Sequence, residues 1–225
     1  MNSYKYDTHV HTSETSPCGR VPGTMGARMY KEAGYHGIVI TDHYFNEYFS
    51  SLGKKSWEEK IDIYLQGYKN AYNEGQKIGL NVILGMELRF SENYNDYLVY
   101  GIDEAFLKEN PKLYELNLKK FKERIKGKDI LVYQAHPFRS WVSPADPKYL
   151  DGAEVFNGCP RQNSRNHRAL RFAQENHLRM ISGSDFHQIE DVAIGGIVLP
   201  EAPVNSNEFY QLLFHDRIIE LLSEE

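Results

Sequence analysis

Short apolar, β-branched runs alternate along this chain with amphipathic stretches. That alternation predicts an α/β fold on a mainly parallel sheet, open or closed into a barrel. About seven short strands within 225 residues favour the barrel, although pattern alone leaves an open sheet possible. Imidazoles and carboxylates also recur just after the apolar runs, at the strand C-termini where ligands gather in both architectures.

The elements follow in order. Residues 4–10 read as a strand and 24–33 as a helix ended by Gly34. GIVIT (37–41) is short, apolar and β-branched, so it reads as a buried strand. Ile61, Leu65, Tyr68, Tyr72 and Ile78 are spaced for one helix over 58–78, closed by Gly79. Residues 81–88 and 97–102 are strands. Pro111 opens a helix with Tyr114, Leu118, Phe121 and Ile125 on one face. Strands are expected at 130–134, 152–156, 179–182 and 196–199, and helices at 162–176 and 207–214. The tail, 218–222, fits either strand or helix.

Composition narrows the function. The length suits one core, so residues 1–225 are expected to form a single domain. An apolar content of 41% with 25% charged residues is that of a globular protein and argues against disorder. A net charge of −5 gives no global attraction to nucleic acid or anionic membrane, so an anionic substrate must be held locally. No run of 18 apolar residues exists to span a membrane, and MNSYKYDTHVH lacks the apolar centre of a signal peptide. Two cysteines, Cys18 and Cys159, make no disulfide framework, so a cytoplasmic location is expected.

The ionisable residues carry the chemistry. His9 and His11 end the first strand two residues apart, hence on one face. Asp42 and His43 follow GIVIT, Glu87 ends NVILGME, His136 follows LVYQA, and Asp185 and His187 follow ISGS. Asp96 fits less cleanly, since it precedes a strand. Any one strand-end histidine is more often a satisfied polar group than a ligand. So many groups on one rim are costly to pack unless a cation compensates them. Imidazole with carboxylate suits zinc, manganese or iron.

In order, H-x-H, I-T-D-H, G-x-E, A-H-P and G-S-D-x-H, from Asp7 to His187, resemble the motifs of the PHP (polymerase and histidinol phosphatase) superfamily. The resemblance implies a distorted (β/α)7 barrel holding two or three divalent metal ions that hydrolyse phosphoesters. It implies His9, His11, Glu87 and Asp185 as ligands of a first ion. Glu87 would bridge to a second ion held also by His136 and Asp96, and a third would take His43, His187 and a ligand from the loop after His11. Two positions depart from the family. Asp96 stands where relatives often have histidine, and Pro17-Cys18-Gly19 stands for P-H-G. Both replacements can bind metal, and the thiolate favours zinc or iron over manganese. Glu14 competes with Cys18 as the loop ligand.

Asp42 is expected to hold an imidazole N–H or orient a water. Arg139 and Arg161 lie nearest the rim and suit bidentate phosphate contact. Arg165 and Arg168 follow Arg161 at helical spacing, and Arg20 sits in the first loop. The expected function is metal-dependent hydrolysis of a small phosphomonoester. Without a basic stripe, long nucleic acid is disfavoured. Alternatives are histidinol phosphatase, weakened by the missing P-H-G; an amidohydrolase-type metal hydrolase, which usually bridges metals with a modified lysine; and a catalytically silent metal-binding module, against which nearly all ligand positions are filled. The sequence leaves the oligomeric state open.

Overall fold

The computed structural model describes residues 3–223. Strand β1 (Tyr4–Val10) leads through α1 (Gly23–Glu32) to β2 (Gly37–Ile40) and the two-residue β3 (His43–Tyr44). Helices α2 (Asn46–Ser51), α3 (Trp57–Tyr64) and α4 (Gln66–Ile78) precede β4 (Asn81–Arg89) and β5 (Asp96–Tyr100). Then come α5 (Glu104–Glu109), α6 (Leu118–Arg124), β6 (Leu131–Gln134), β7 (Gly152–Asn157), α7 (Asn166–Glu175), β8 (Arg179–Gly183), β9 (Gly195–Leu199), α8 (Ser206–Phe214) and β10 (Glu220–Ser223).

These strands form one sheet in the order β10-β9-β1-β2-β4-β5-β6-β7-β8, with β3 on β4. The sheet curls until the end of β8 meets β1. There Val10 and Phe186 form a parallel bridge, and the Thr8 hydroxyl donates to the Ser182 carbonyl at 2.9 Å. The result is a nearly closed, distorted barrel. Its lumen is filled from most strands by Tyr6, Val39, Ile83, Leu98, Tyr133 and Ile181, and Phe209 of α8 packs into the same cluster. Helices α1 and α4 cover Ile38, Ile40 and Val82, and α2, α3, α5, α6 and α7 cover the faces of β4 to β7. No helix among the described residues is long and apolar enough to cross a membrane.

The sheet is mixed rather than mainly parallel. β5 runs antiparallel to both β4 and β6, and β9 to both β1 and β10. Only residues 90–95 join β4 to β5, too few for the dozen-residue crossover a parallel pair needs. The tail resolves as a strand. The helix expected over 58–78 divides after Tyr64, where the Thr15 hydroxyl donates to the Tyr64 carbonyl at 2.8 Å and draws it off the helical ladder. Ser56 and Glu59 close a capping box at the start of α3, a local signal worth about 1 kcal/mol. The helix expected from Pro111 begins instead after Asn117, whose side chain accepts from the Lys120 N–H, and a 3-10 turn over Leu113–Glu115 precedes it. Tyr114, Leu118, Phe121 and Ile125 are nevertheless all buried together, as their spacing required.

Candidate metal centre

Two β-bulges aim the site. In β1 the register with β2 shifts between Asp7 and Val10, so three residues advance against two. Strict alternation would set His9 and His11 opposite Tyr6, which points into the lumen. The extra residue turns both imidazoles inward at the rim, while Val10 packs outward with α1 and α4. A second bulge in β7, between Glu154 and Phe156, lets Glu154 and Asn157 face the same point. Across from them, Gly183 must be glycine. A Cβ there would lie 2.5 Å from the His9 Cβ and 3.1 Å from a Glu154 carboxylate oxygen.

The ring nitrogens away from the centre are committed. His9 Nδ1 lies 2.8 Å from Glu154 Oε1, whose carboxylate can only accept, so Nδ1 carries the proton. His11 Nδ1 lies 3.0 Å from Ser16 Oγ. The Ser16 hydroxyl donates to Asp42 Oδ1 at 2.7 Å and accepts from the His43 backbone N–H, so His11 Nδ1 must donate to it. Asp42 also accepts from the Thr12 N–H and hydroxyl, both at 2.7 Å. Asp42 therefore touches no imidazole; it acts through Ser16 and fixes the loop that follows His11.

With each Nδ1 committed, the two Nε2 atoms, 3.0 Å apart, are the ring atoms left to face a cation. Asp185 Oδ1 lies 3.4 Å from His9 Nε2 and 3.3 Å from His11 Nε2. Glu87 reaches the same two nitrogens at 3.4 and 3.5 Å. Donors about 2.1 Å from a shared cation would be spaced about 3.0–3.4 Å apart, which the distances among His9 Nε2, His11 Nε2 and Asp185 Oδ1 match, while Glu87 meets the two nitrogens with different oxygens, Oε1 on His9 and Oε2 on His11. Glu87 also touches His43 Nδ1 at 2.6 Å and His136 Nε2 at 3.1 Å, so one carboxylate joins all sides of the cluster. The buried His136 Nδ1 has no hydrogen-bond partner. Three groups, His9-His11-Asp185, His11-His43-His187 and His43-Glu87-Asp96, bring ligand atoms close enough to share a metal ion. The donor set fits divalent metal. Backbone strain marks the place too, since His136 and Asp185 both hold positive φ, 30° and 54°.

Asp96 reaches the rim because β5 is antiparallel, which brings its first residue beside the last residues of β4. Asp96 pairs with Arg89, and their side chains form a two-pronged ion pair at 2.7 and 2.8 Å. His136 Nε2 stands 3.9 Å from Asp96. On the opposite side, His187 Nδ1 donates to the Asp185 carbonyl, and its Nε2 lies 3.0 Å from Cys18 Sγ. Glu14 faces elsewhere, with its oxygens on the Gly23 N–H at the start of α1 and on Asn70.

Charge within the cluster is strongly perturbed. Burial opposes charging His9, but the Asp185, Glu154 and Glu87 carboxylates outweigh it and hold its pKa well above the usual range. Burial also opposes charge on Glu87 and Asp185. The facing His43 and His9 overcome it for Glu87, and His9 and Arg139 for Asp185, so both titrate well below an ordinary carboxyl. Burial would raise the Cys18 thiol, but His187 and His43 bring it down to about 6. Burial pushes Asp42 up to about 6 against its bonds from Ser16 and Thr12. Without a cation, protons fill the centre, so metal binding must release them.

The arginines divide by task. Arg139 Nη2 donates to Asp185 Oδ2 and Asn157 Oδ1, each at 2.7 Å, while its buried Nε has no partner. Arg161 lines the same cleft, but its fork is held at 2.6 Å on both arms by the buried Asp191, which also accepts from the His187 N–H. The helix expected from residue 162 starts at Asn166, so Arg161 and Arg165 lie on a loop and share no helical face with Arg168. Arg165 donates to the Phe138 carbonyl, and Arg168 lies over the Phe138 ring. Sequence reasoning missed Glu154, Ser16, Arg89 and Asp191. The signal for Glu154 was a carboxylate in the buried run GAEVFN, which requires a partner.

A PHP domain family model matches residues 7–193. No curated protein matches the chain. Among solved structures, PsfC from Pseudomonas syringae is 16% identical, with a TM-score of 0.66 over 93% of this chain and 88% of its own. A two-domain protein from Bacteroides vulgatus, described as containing a predicted PHP-like metal-dependent phosphoesterase, is 18% identical, with a TM-score of 0.64. The alignment covers 96% of this chain but 64% of that one. An amidohydrolase from Chromobacterium violaceum with bound sulfate is 16% identical, with a TM-score of 0.57 over 96% and 97% of the two chains. At these identities the likeness is one of fold.

Proposed function

This chain belongs to the PHP domain family, and on that premise we propose that it is a metal-dependent phosphoesterase acting on a small phosphomonoester. One observation carries the reading. His9 and His11 have their Nδ1 protons committed to Glu154 and Ser16, which leaves both Nε2 atoms facing a point shared with Asp185 and flanked by Glu87. A cation is what that arrangement accommodates.

His9, His11, Glu87 and Asp185 would hold one ion; His43, His187 and Cys18 would hold another, with Glu87 shared. His136 and Glu87 could hold a further one with Asp96 if Arg89 lets Asp96 go. Zinc, manganese and iron suit the donors, and the Cys18 thiolate favours zinc or iron. When bound, such ions would lower the pKa of water and neutralise phosphoryl oxygens. The chain does the rest. Asp42 and Glu154 keep the two rim imidazoles in one tautomer through Ser16 and directly. Arg139 holds Asp185 in place through Nη2 and brings positive charge to the cleft wall, and Arg161 braces the His187 turn at the cleft edge. The test is phosphatase turnover after chelation and after adding back zinc, manganese or iron. Activity should vanish and return; full activity in protein shown metal-free by elemental analysis overturns the reading.

A further inference from the structure

The metal cleft opens into a second cavity of about 570 Å³. Arg89, Asp96, His136, Arg139 and Gln162 line both, so the two are continuous. The outer wall of the second cavity carries two aromatic side chains, Tyr94 and Trp141, which are 70% and 92% exposed. Trp141 also has φ at 73°, a backbone state that a bulky residue rarely adopts. The segment that holds it is pinned. Buried Gln134 donates to the Ser143 carbonyl and accepts from the Ala145 N–H, both at 2.8 Å, and Asn95 accepts from the Ser143 N–H. A fixed loop thus presents an indole with almost no protein covering it, at the mouth of a cavity floored by two arginines. Strain of this kind persists where surrounding structure imposes it, and it clusters at ligand sites.

We propose that Tyr94 and Trp141 form a stacking platform for a planar aryl or heteroaromatic ring on the alcohol side of the substrate. Resting on the phosphoesterase reading, this places the phosphoryl group at the metal centre, the ring against Trp141, and Arg89 and Arg139 between them. Ring stacking needs only a π face, so the platform selects for ring-bearing phosphoesters as a class over ringless ones.

The chain has two tryptophans. The Trp57 indole is partly buried against the core and donates to the Leu107 carbonyl, whereas Trp141 is 92% exposed, so the emission that changes at the cavity mouth reports Trp141, and Trp141→Ala identifies it. Metal-loaded protein is titrated with adenosine 5′-monophosphate, adenosine and glycerol 3-phosphate, following emission, binding and hydrolysis. Both adenosine compounds should quench emission, and glycerol 3-phosphate should not. Trp141→Ala should weaken the nucleotide on the order of tenfold and leave glycerol 3-phosphate unchanged. Tyr94→Ala should act in the same direction, and both sites are too exposed to disturb folding. Quenching by adenosine without hydrolysis of either phosphoester keeps the platform and sinks the phosphoesterase reading. Hydrolysis of both esters with equal efficiency, unaffected by Trp141→Ala, keeps the enzyme and overturns the platform.

Discussion

Glu154→Gln should cost metal affinity while sparing the metal-free fold. The carboxylate serves three buried donors: His9 Nδ1–H at 2.8 Å, the His136 N–H at 2.8 Å and Asn157 Nδ2 at 2.9 Å. Glutamine offers one oxygen and one NH2 group. If the oxygen faces His9, the NH2 opposes two buried donors, at about 1–3 kcal/mol for each bond lost. If the oxygen serves His136 and Asn157, the NH2 faces His9, which can move its proton to Nε2 and accept at Nδ1. That second arrangement is cheap, because the new Nε2–H then meets His11 Nε2 at 3.0 Å. A cation bound at Nε2 must then drive the remaining ring proton back to Nδ1, against the facing NH2 group. Metal affinity should therefore fall about 10- to 100-fold, or about 1.4–2.7 kcal/mol. Stability of the metal-free protein should change by less than about 1 kcal/mol. Competition against a chromophoric chelator reads the affinity, and urea unfolding of the chelated protein reads the stability. Wild-type metal affinity in the variant would refute the tautomer argument.

Glu87→Gln should reduce activity further than Asp42→Asn. It removes the charge facing His9, His11, His43 and His136, whereas Asp42 acts only through Ser16 and Thr12; kinetics of the two variants that rank them the other way reverse these roles. Cys18→Ser should lose about one ion per chain by elemental analysis and Cys18→His should keep it, while Glu14→Gln should disturb only the start of α1. In metal-free protein, alkylation of Cys18 should rise with pH through about 6, since the facing histidines favour the thiolate, and metal loading should suppress it. Arg89→Ala should release Asp96 and let the His136 side take up metal, seen as about one more ion per chain; unchanged content would show that the ion pair does not compete with metal.

Much of this was legible in the sequence because each signal was local. Apolar runs marked the strands, and His-x-His marked one face of β1. Other features depended on partners distant in the chain. A bulge cannot be read from a strand alone, since it is defined by two residues opposing one. Without it His9 and His11 would share a face with each other but not with Asp185. Asp96 looked misplaced because its strand was taken as parallel; the short 90–95 connection was the available correction. The two long helices were over-extended for a related reason. Thr15 and Asn117 interrupt them through side-chain hydrogen bonds, which hydrophobic spacing does not register.

The seam where β8 meets β1 gives the molecule a temporal order. Thr8 and Ser182 are 174 positions apart, yet their hydrogen bond lies beside the Val10–Phe186 bridge and the four groups nearest the centre. A nascent chain could arrange His9, His11 and Glu87 early, but it would have no Asp185 to complete them until the last strands had been made. Closing so long a loop is slow and costs entropy before any contact repays it. An ion captured at the seam works as a clasp on the finished hoop. It would hold the two ends of the β/α array together and tie the lifetime of the folded state to the supply of metal.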